Sequence, residues 1–157
     1  MSVAYENMSD YAKHVVDTMN LEAHPEGGWY IRDWEADELN KDKRPLASLI
    51  YFLLPQGDAS AWHKVDADEI WLWHGPTQLK LQLGGTGDKP APDSECETVL
   101  LGNNLTAQSV ENRDSAPVGH ALIPKGVWQR TIPADGDVLV SCVVSPAFVF
   151  EGFELED

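Results

Sequence analysis

His63 and Glu69 are the pair of residues in this sequence best suited to chemistry. Both lie in Gly57–Gly75, which reads GDASAWHKVDADEIWLWHG. An imidazole titrates close to neutral pH and can act as a general base. A nearby carboxyl can orient that ring, or can serve as the acid if a tryptophan-lined pocket raises its pKa. The run Glu69–His74 reads as a strand, and strands send alternate side chains to opposite faces. Glu69, Trp71 and Trp73 then share one face, and Ile70, Leu72 and His74 the other. Either the first face is a wet pocket with aromatic walls, or Glu69 points outward beside two exposed tryptophans. Both arrangements describe a ligand or partner surface, because exposed apolar patches of that size usually bind something. The bland alternative is a buried, hydrogen-bonded His63–Glu69 pair that only fills the interior.

The elements that must hold these residues are short strands. Ser9 can cap a helix that presents Ala12, Val15, Val16 and Met19 at helical spacing. Beyond it, Pro25 favours an extended His24 and Gly27-Gly28 permits a sharp turn. Strands are expected over Trp29–Trp34, Leu46–Leu54, near Ser60–Val65, and over Glu69–His74 and Gln78–Leu83. Others are expected over Thr98–Leu101, Ala107–Val110, His120–Ile123, Val127–Ile132 and Val138–Val144. The tail Phe148–Leu155 ends the sheet. Leu79, Leu81 and Leu83 alternate with Gln78, Lys80 and Gln82, as in a strand with one wet face. Glu35–Arg44 is a charged stretch without periodicity and is assigned to solvent. Many short strands separated by Gly, Pro and Asp turns describe an all-β sandwich or barrel.

The length of 157 residues suits one domain, with the helix at about 9–20 and the barrel at about 28–155. With 26 acidic and 11 basic residues, the net charge is −15. Such a chain repels phosphate backbones, which excludes general nucleic-acid binding. No apolar run is long enough for a membrane span. The opening residues lack the basic start and apolar core of a secretory signal. The two cysteines, Cys96 and Cys142, do not make a disulfide framework, and Cys142 reads as a small buried hydrophobe. A reduced, cytoplasmic protein is the expectation. There is no phosphate-binding loop, dinucleotide fingerprint or nucleophile elbow.

Two further motifs change the reading. Gly57, five residues, His63, then Glu69 and Gly75 resemble the first motif of a cupin, with Val65 where a second histidine would stand. Gly119, Pro124-Lys125-Gly126 and Gln129 resemble the second, with Gln129 in place of the last histidine. HPEGG at His24–Gly28, SLIYFLL at Ser48–Leu54, HKVDADEIW at His63–Trp71, IPKGVWQ at Ile123–Gln129 and SPAFVFEGFEL at Ser145–Leu155 together resemble one cupin subfamily of unknown function. The resemblance implies a double-stranded β-helix (jelly-roll) barrel, a homodimer, and a pocket inside the barrel between the two motifs.

Cupins of the standard type hold a divalent metal with three histidines and a glutamate. This chain offers His63, Glu69 and an amide, a poor transition-metal set, so neither a metal nor another cofactor is expected. His63, Glu69 and Gln129 instead become polar groups converging on an apolar lumen, the composition of a small-molecule site. Trp71 and Trp73 can stack on a sugar or flat ring. Glu26 and Tyr30 join the candidates because the family carries HPEGG near the pocket mouth; the alternative is a plain turn. His74 reads as a core or interface residue and His14 as solvent-facing, while His120 has no evident partner. Lys80 and Arg130 can bind an anion or form surface pairs.

Metal-free cupins that resemble this barrel include sugar-nucleotide epimerases. Their chemistry needs a base, an acid and a donor to the enolate oxygen, roles open to His63, to Tyr30 or Glu69, and to Gln129. The acidic charge disfavours a nucleotide-diphosphate substrate unless Lys80, Lys125 or Arg130 line the mouth. The expectation is a small polar or sugar-like metabolite in the barrel, with epimerisation or isomerisation by proton transfer. The alternatives are a binding module without chemistry, and a metal-dependent oxygenase or isomerase with an incomplete ligand set.

Overall fold

The structure is a computed structural model and describes residues 2–103 and 116–156. Helix α1 (Asp10–Met19) precedes strands β1 (Glu22–Ala23), β2 (Trp29–Glu35), β3 (Ser48–Leu54), β4 (His63–Val65), β5 (Asp68–Pro76) and β6 (Leu79–Leu83). Strands β7 (Glu97–Leu101), β8 (His120–Ile123), β9 (Gln129–Ile132), β10 (Val138–Ser145) and β11 (Phe153–Leu155) complete the described order. Two sheets form, ordered β1-β2-β3-β10-β5-β8 and β11-β4-β9-β6-β7, and the strand pairs within them are antiparallel. The two face each other as a jelly roll.

The longest apolar runs explain how the sheets are stacked. Phe52, Leu54, Val138, Val140 and Cys142 point between the sheets and pack with Trp71, Leu79, Leu81, Leu101 and Ile123. Their neighbours Leu53 and Leu139 point the other way, under α1, where they meet Met8, Ala12, Val15, Val16 and Leu21. SLIYFLL and VLVSCVVS are therefore apolar on both faces because both faces are covered. The spacing expected for the helix holds: Ala12, Val15 and Val16 are its buried residues.

The start of α1 is tied to the far end of the sheet. Ser9 Oγ accepts the Ala12 N–H and donates to Asp137 Oδ2, while Asp137 Oδ1 accepts the Gln56 N–H. Asp137 is buried, and those donors satisfy its carboxyl oxygens.

Several boundaries differ from expectation. Strand β4 covers only His63–Val65, because Ser60 turns its backbone and hydroxyl to the Thr131 side chain. Strand β9 begins at Gln129 rather than Val127, since Val127 N–H closes a turn onto Pro124 O. The charged 35–44 stretch is not loose at its end, where Arg44 makes paired hydrogen bonds to Asp66. The strand expected over Ala107–Val110 lies outside the described residues.

Removing the Asp137 carboxylate should lower stability by roughly 2–3 kcal/mol, and Ser9→Ala by about 1 kcal/mol. Urea denaturation of Asp137→Ala and Ser9→Ala checks both values. Equal, negligible losses in both would show that the cap does not couple α1 to the sheet.

Candidate functional site

A cavity of about 550 Å³ opens between the sheets on the side of β1, β2 and the C-terminal segment. Its deep wall carries His63, Glu69, Trp71, Phe52, Glu26 and Cys142, all buried. Its mouth carries Glu22, Arg32, Phe150 and Glu151, all exposed.

The HPEGG turn delivers Glu26. Gly27 and Gly28 sit at φ +108° and +78°. A β-carbon at Gly27 would overlap the Ala59 carbonyl oxygen, and one at Gly28 the Phe52 ring. The backbone can run this close to β3 and to residues 58–61 only because neither position has a side chain. Ala61 N–H then donates to Glu26 O at 2.8 Å, which joins the turn to the approach of β4. The Glu26 carboxyl lies 3.2 Å from His63 Nδ1 and 3.8 Å from His24 Nδ1.

The proton on His63 can be assigned. Nδ1 is 2.8 Å from the Ala61 carbonyl oxygen, which can only accept, so Nδ1 bears the hydrogen. Nε2 keeps the lone pair and has no hydrogen-bond partner among the described residues. His24 has the opposite tautomer, because its Nδ1 accepts the Glu26 N–H at 3.3 Å. Burial pulls His63 down to about 4, partly offset by the Ala61 carbonyl. Burial, and then the neighbouring His63, pull His24 down to about 4. Both rings are neutral at pH 7.

Glu69 is held from behind by a chain that crosses the two sheets. Trp71 Nε1–H donates to Gln129 Oε1 at 3.0 Å, and Gln129 Nε2–H donates to Glu69 Oε2 at 2.6 Å. Because the indole can only donate, it fixes which end of the amide faces the carboxyl. Strand pairing sets Gln129 opposite His63. Burial raises Glu69 to about 7, and hydrogen bonds from Gln129, Cys142 and Trp71 keep it from rising further. Glu26 is pushed well above the usual carboxylate range by burial and then by the Glu69 charge. Burial and Glu69 raise the Cys142 thiol, so it stays protonated as a donor.

The structure brings His63, Glu69, Trp71, Glu26 and Tyr30 to one cavity. Gln129 stands behind Glu69, fully buried and off the cavity wall, with both ends of its amide engaged. Trp73 shares the inward face of β5 but sits further along, against the core, with its indole donating to Thr77 O. His74 is exposed beside Ser141, and His14 and His120 are exposed. Arg130 is a surface pair: it bonds Gln82 and Asp93 and lies over Trp62. Lys80, Lys125 and Arg130 do not line the cavity; among the described residues Arg32 is the cation that does. Sequence reasoning missed His24, Phe148 and Phe150 as wall residues, and saw in Cys142 only a hydrophobe. The HPEGG motif and the Phe-rich tail were the available signals.

A family model described as Cupin superfamily (DUF985) matches residues 13–156. The chain belongs to the cupin superfamily. A Shewanella oneidensis protein of known crystal structure is similar to this cupin at 32% identity, with a TM-score of 0.78, over 93% of this chain and 84% of that one. A hypothetical protein from Leishmania major is similar at 26% identity and a TM-score of 0.74, over 92% and 86% of the two chains. A cupin-2 domain from Rhodospirillum rubrum, at 15% identity and a TM-score of 0.54 over 87% and 74%, shares the fold. No curated protein matches this cupin in sequence.

The divalent metal of standard cupins does not fit the donors of this one. Val65 brings a hydrocarbon to the wall, and Gln129 spends its oxygen on an indole and turns its N–H toward Glu69. No group of three or more His, Cys, Asp or Glu among the described residues is arranged to hold a cation.

The shifted groups predict opposing pH dependences. Glu69, raised from 4.5 to about 7, keeps its proton longer in the native state, so its contribution to stability falls as pH rises from about 4.5 to 7. His24 and His63, lowered from 6.5 to about 4, make stability rise with pH between those values. Glu69→Gln keeps the acceptor for Gln129, removes the Glu69 contribution and relieves Glu26 of its charge. The variant should gain on wild type by up to roughly 3 kcal/mol between pH 4.5 and 7. Denaturant melts across that range check the difference, and parallel curves would contradict a raised Glu69.

Proposed function

We propose that the cavity binds a small polar or sugar-like metabolite and moves a proton next to its carbonyl, as an isomerase or epimerase. The observation that supports this best is the separation of two buried acids in one cavity. Glu69 titrates near neutrality, and Glu26 stays protonated well above the usual range. Environments that push two carboxyls apart in this way create a base and an acid from the same functional group.

Glu69 takes the proton from the carbon beside the carbonyl, since a base poised near the working pH transfers protons best. Glu26, as a neutral carboxylic acid, donates a hydrogen bond to the carbonyl oxygen as charge develops there. His63 Nε2, held in its tautomer by Ala61, accepts a substrate hydroxyl and orients it. Gln129 and Trp71 fix the rotamer of Glu69 and share its charge once it ionises. Tyr30, Phe52 and Trp71 supply apolar walls.

The test is hydrogen–deuterium exchange of hydroxyketones and keto sugars in heavy water, followed by proton NMR. Wild-type protein should exchange the proton beside the carbonyl of at least one compound, with a rate that rises through pH 7 as Glu69 ionises. Glu69→Gln should lose at least about 100-fold. Compounds that raise Tm yet never exchange would make the protein a binding module instead.

A further inference from the structure

Toward its mouth the cavity carries a cluster of aromatic rings, of which the proton chemistry uses only Tyr30, as an apolar wall. Phe148 and Phe150 stand nearly perpendicular, at 84° with centroids 5.1 Å apart. His24 lies against Phe150 at 6.3 Å and 28°, and Tyr30 meets His24 edge-on at 4.6 Å. All four rings line the cavity, and Phe150 is 52% exposed. Burial therefore does not account for Phe150 at this position.

The charges on the wall point one way. Glu22 and Glu151 line the cavity mouth, and among the described residues Arg32 is the cation that lines it. Arg32 is already paired with Glu35 at 3.3 Å, and its guanidinium lies 5.9 Å from the centre of the Phe148 ring. One face of that ring thus already accommodates a cation. The side chain of Glu26, buried deeper on the same wall, lies 3.2 Å from His63 Nδ1.

We propose that the ligand of this cavity carries an alkylated ammonium group, seated against Tyr30, Phe148 and Phe150 with Glu22 and Glu151 at the rim. Aromatic faces are electron-rich and attract a cation within about 6 Å of the ring centre. Ring faces offer no hydrogen-bond acceptors, so they suit an ammonium whose methyl groups have replaced its N–H bonds. Nearby carboxylates add the long-range attraction and repel phosphates and other anions. The inference rests on reading the cavity as a ligand site and specifies the ligand's charge.

Thermal melting with three additions tests it: choline chloride, its uncharged carbon isostere neohexanol, and sodium chloride at matched ionic strength. Choline at saturation should raise Tm by roughly 5 °C, at least twice the effect of neohexanol, with no effect of sodium chloride. Phe148→Leu and Phe150→Leu keep apolar bulk but remove the ring face. Both should cut the choline shift at least threefold and leave the neohexanol shift in place. Equal shifts from choline and neohexanol would overturn the charge assignment while leaving the cavity a ligand site. No shift from choline would also overturn it, and the deuterium-exchange assay would then decide the proton-transfer reading separately.

Discussion

A carboxyl group buried without partners cannot remain charged at acceptable cost, and the arrangement around Glu69 answers that constraint. Gln129 reaches from the facing sheet to donate one short hydrogen bond, and Trp71 locks the amide so that only its N–H end can do so. The chain Trp71–Gln129–Glu69 therefore does two jobs. It links the two layers of the jelly roll at the cavity floor, and it holds the acid near neutrality rather than fully suppressed. Without those donors, burial would raise Glu69 further; with more of them, it would fall toward the ordinary carboxylate range.

The same constraint separates Glu26 from Glu69. Glu26 sits on a turn that two glycines press against β3, beside imidazoles that burial keeps uncharged. It receives no comparable set of donors, and the Glu69 charge raises it further. Two chemically identical side chains in one cavity thus acquire different protonation states through their neighbours alone.

Much of the architecture was legible in the sequence because strand periodicity reports which faces are covered. Leu79 and Leu81 are inward as their alternation requires, and Ser48–Leu54 is apolar throughout because α1 covers its other face. The grouping of His63 with Glu69 followed from spacing and from family motifs. The role of Gln129 was less accessible, since spacing cannot tell an amide that faces a ligand from one that stands behind a carboxyl. Trp73 shows the same limit: period-two reasoning fixes its face but not how far along the cavity it falls. His24, Phe148 and Phe150 reach the wall through chain segments distant in sequence, and such contacts have no local pattern.

The proposed chemistry depends most directly on the ionisation of Glu69. Carbon-13 NMR of protein labelled at the glutamate carboxyl carbon, with the Glu69 signal assigned by its loss in Glu69→Gln, follows that ionisation without a substrate. The expected midpoint is about 7. A midpoint in the ordinary carboxylate range, near 4.5, would show that the cavity does not hold a poised acid and would contradict the mechanism built on it.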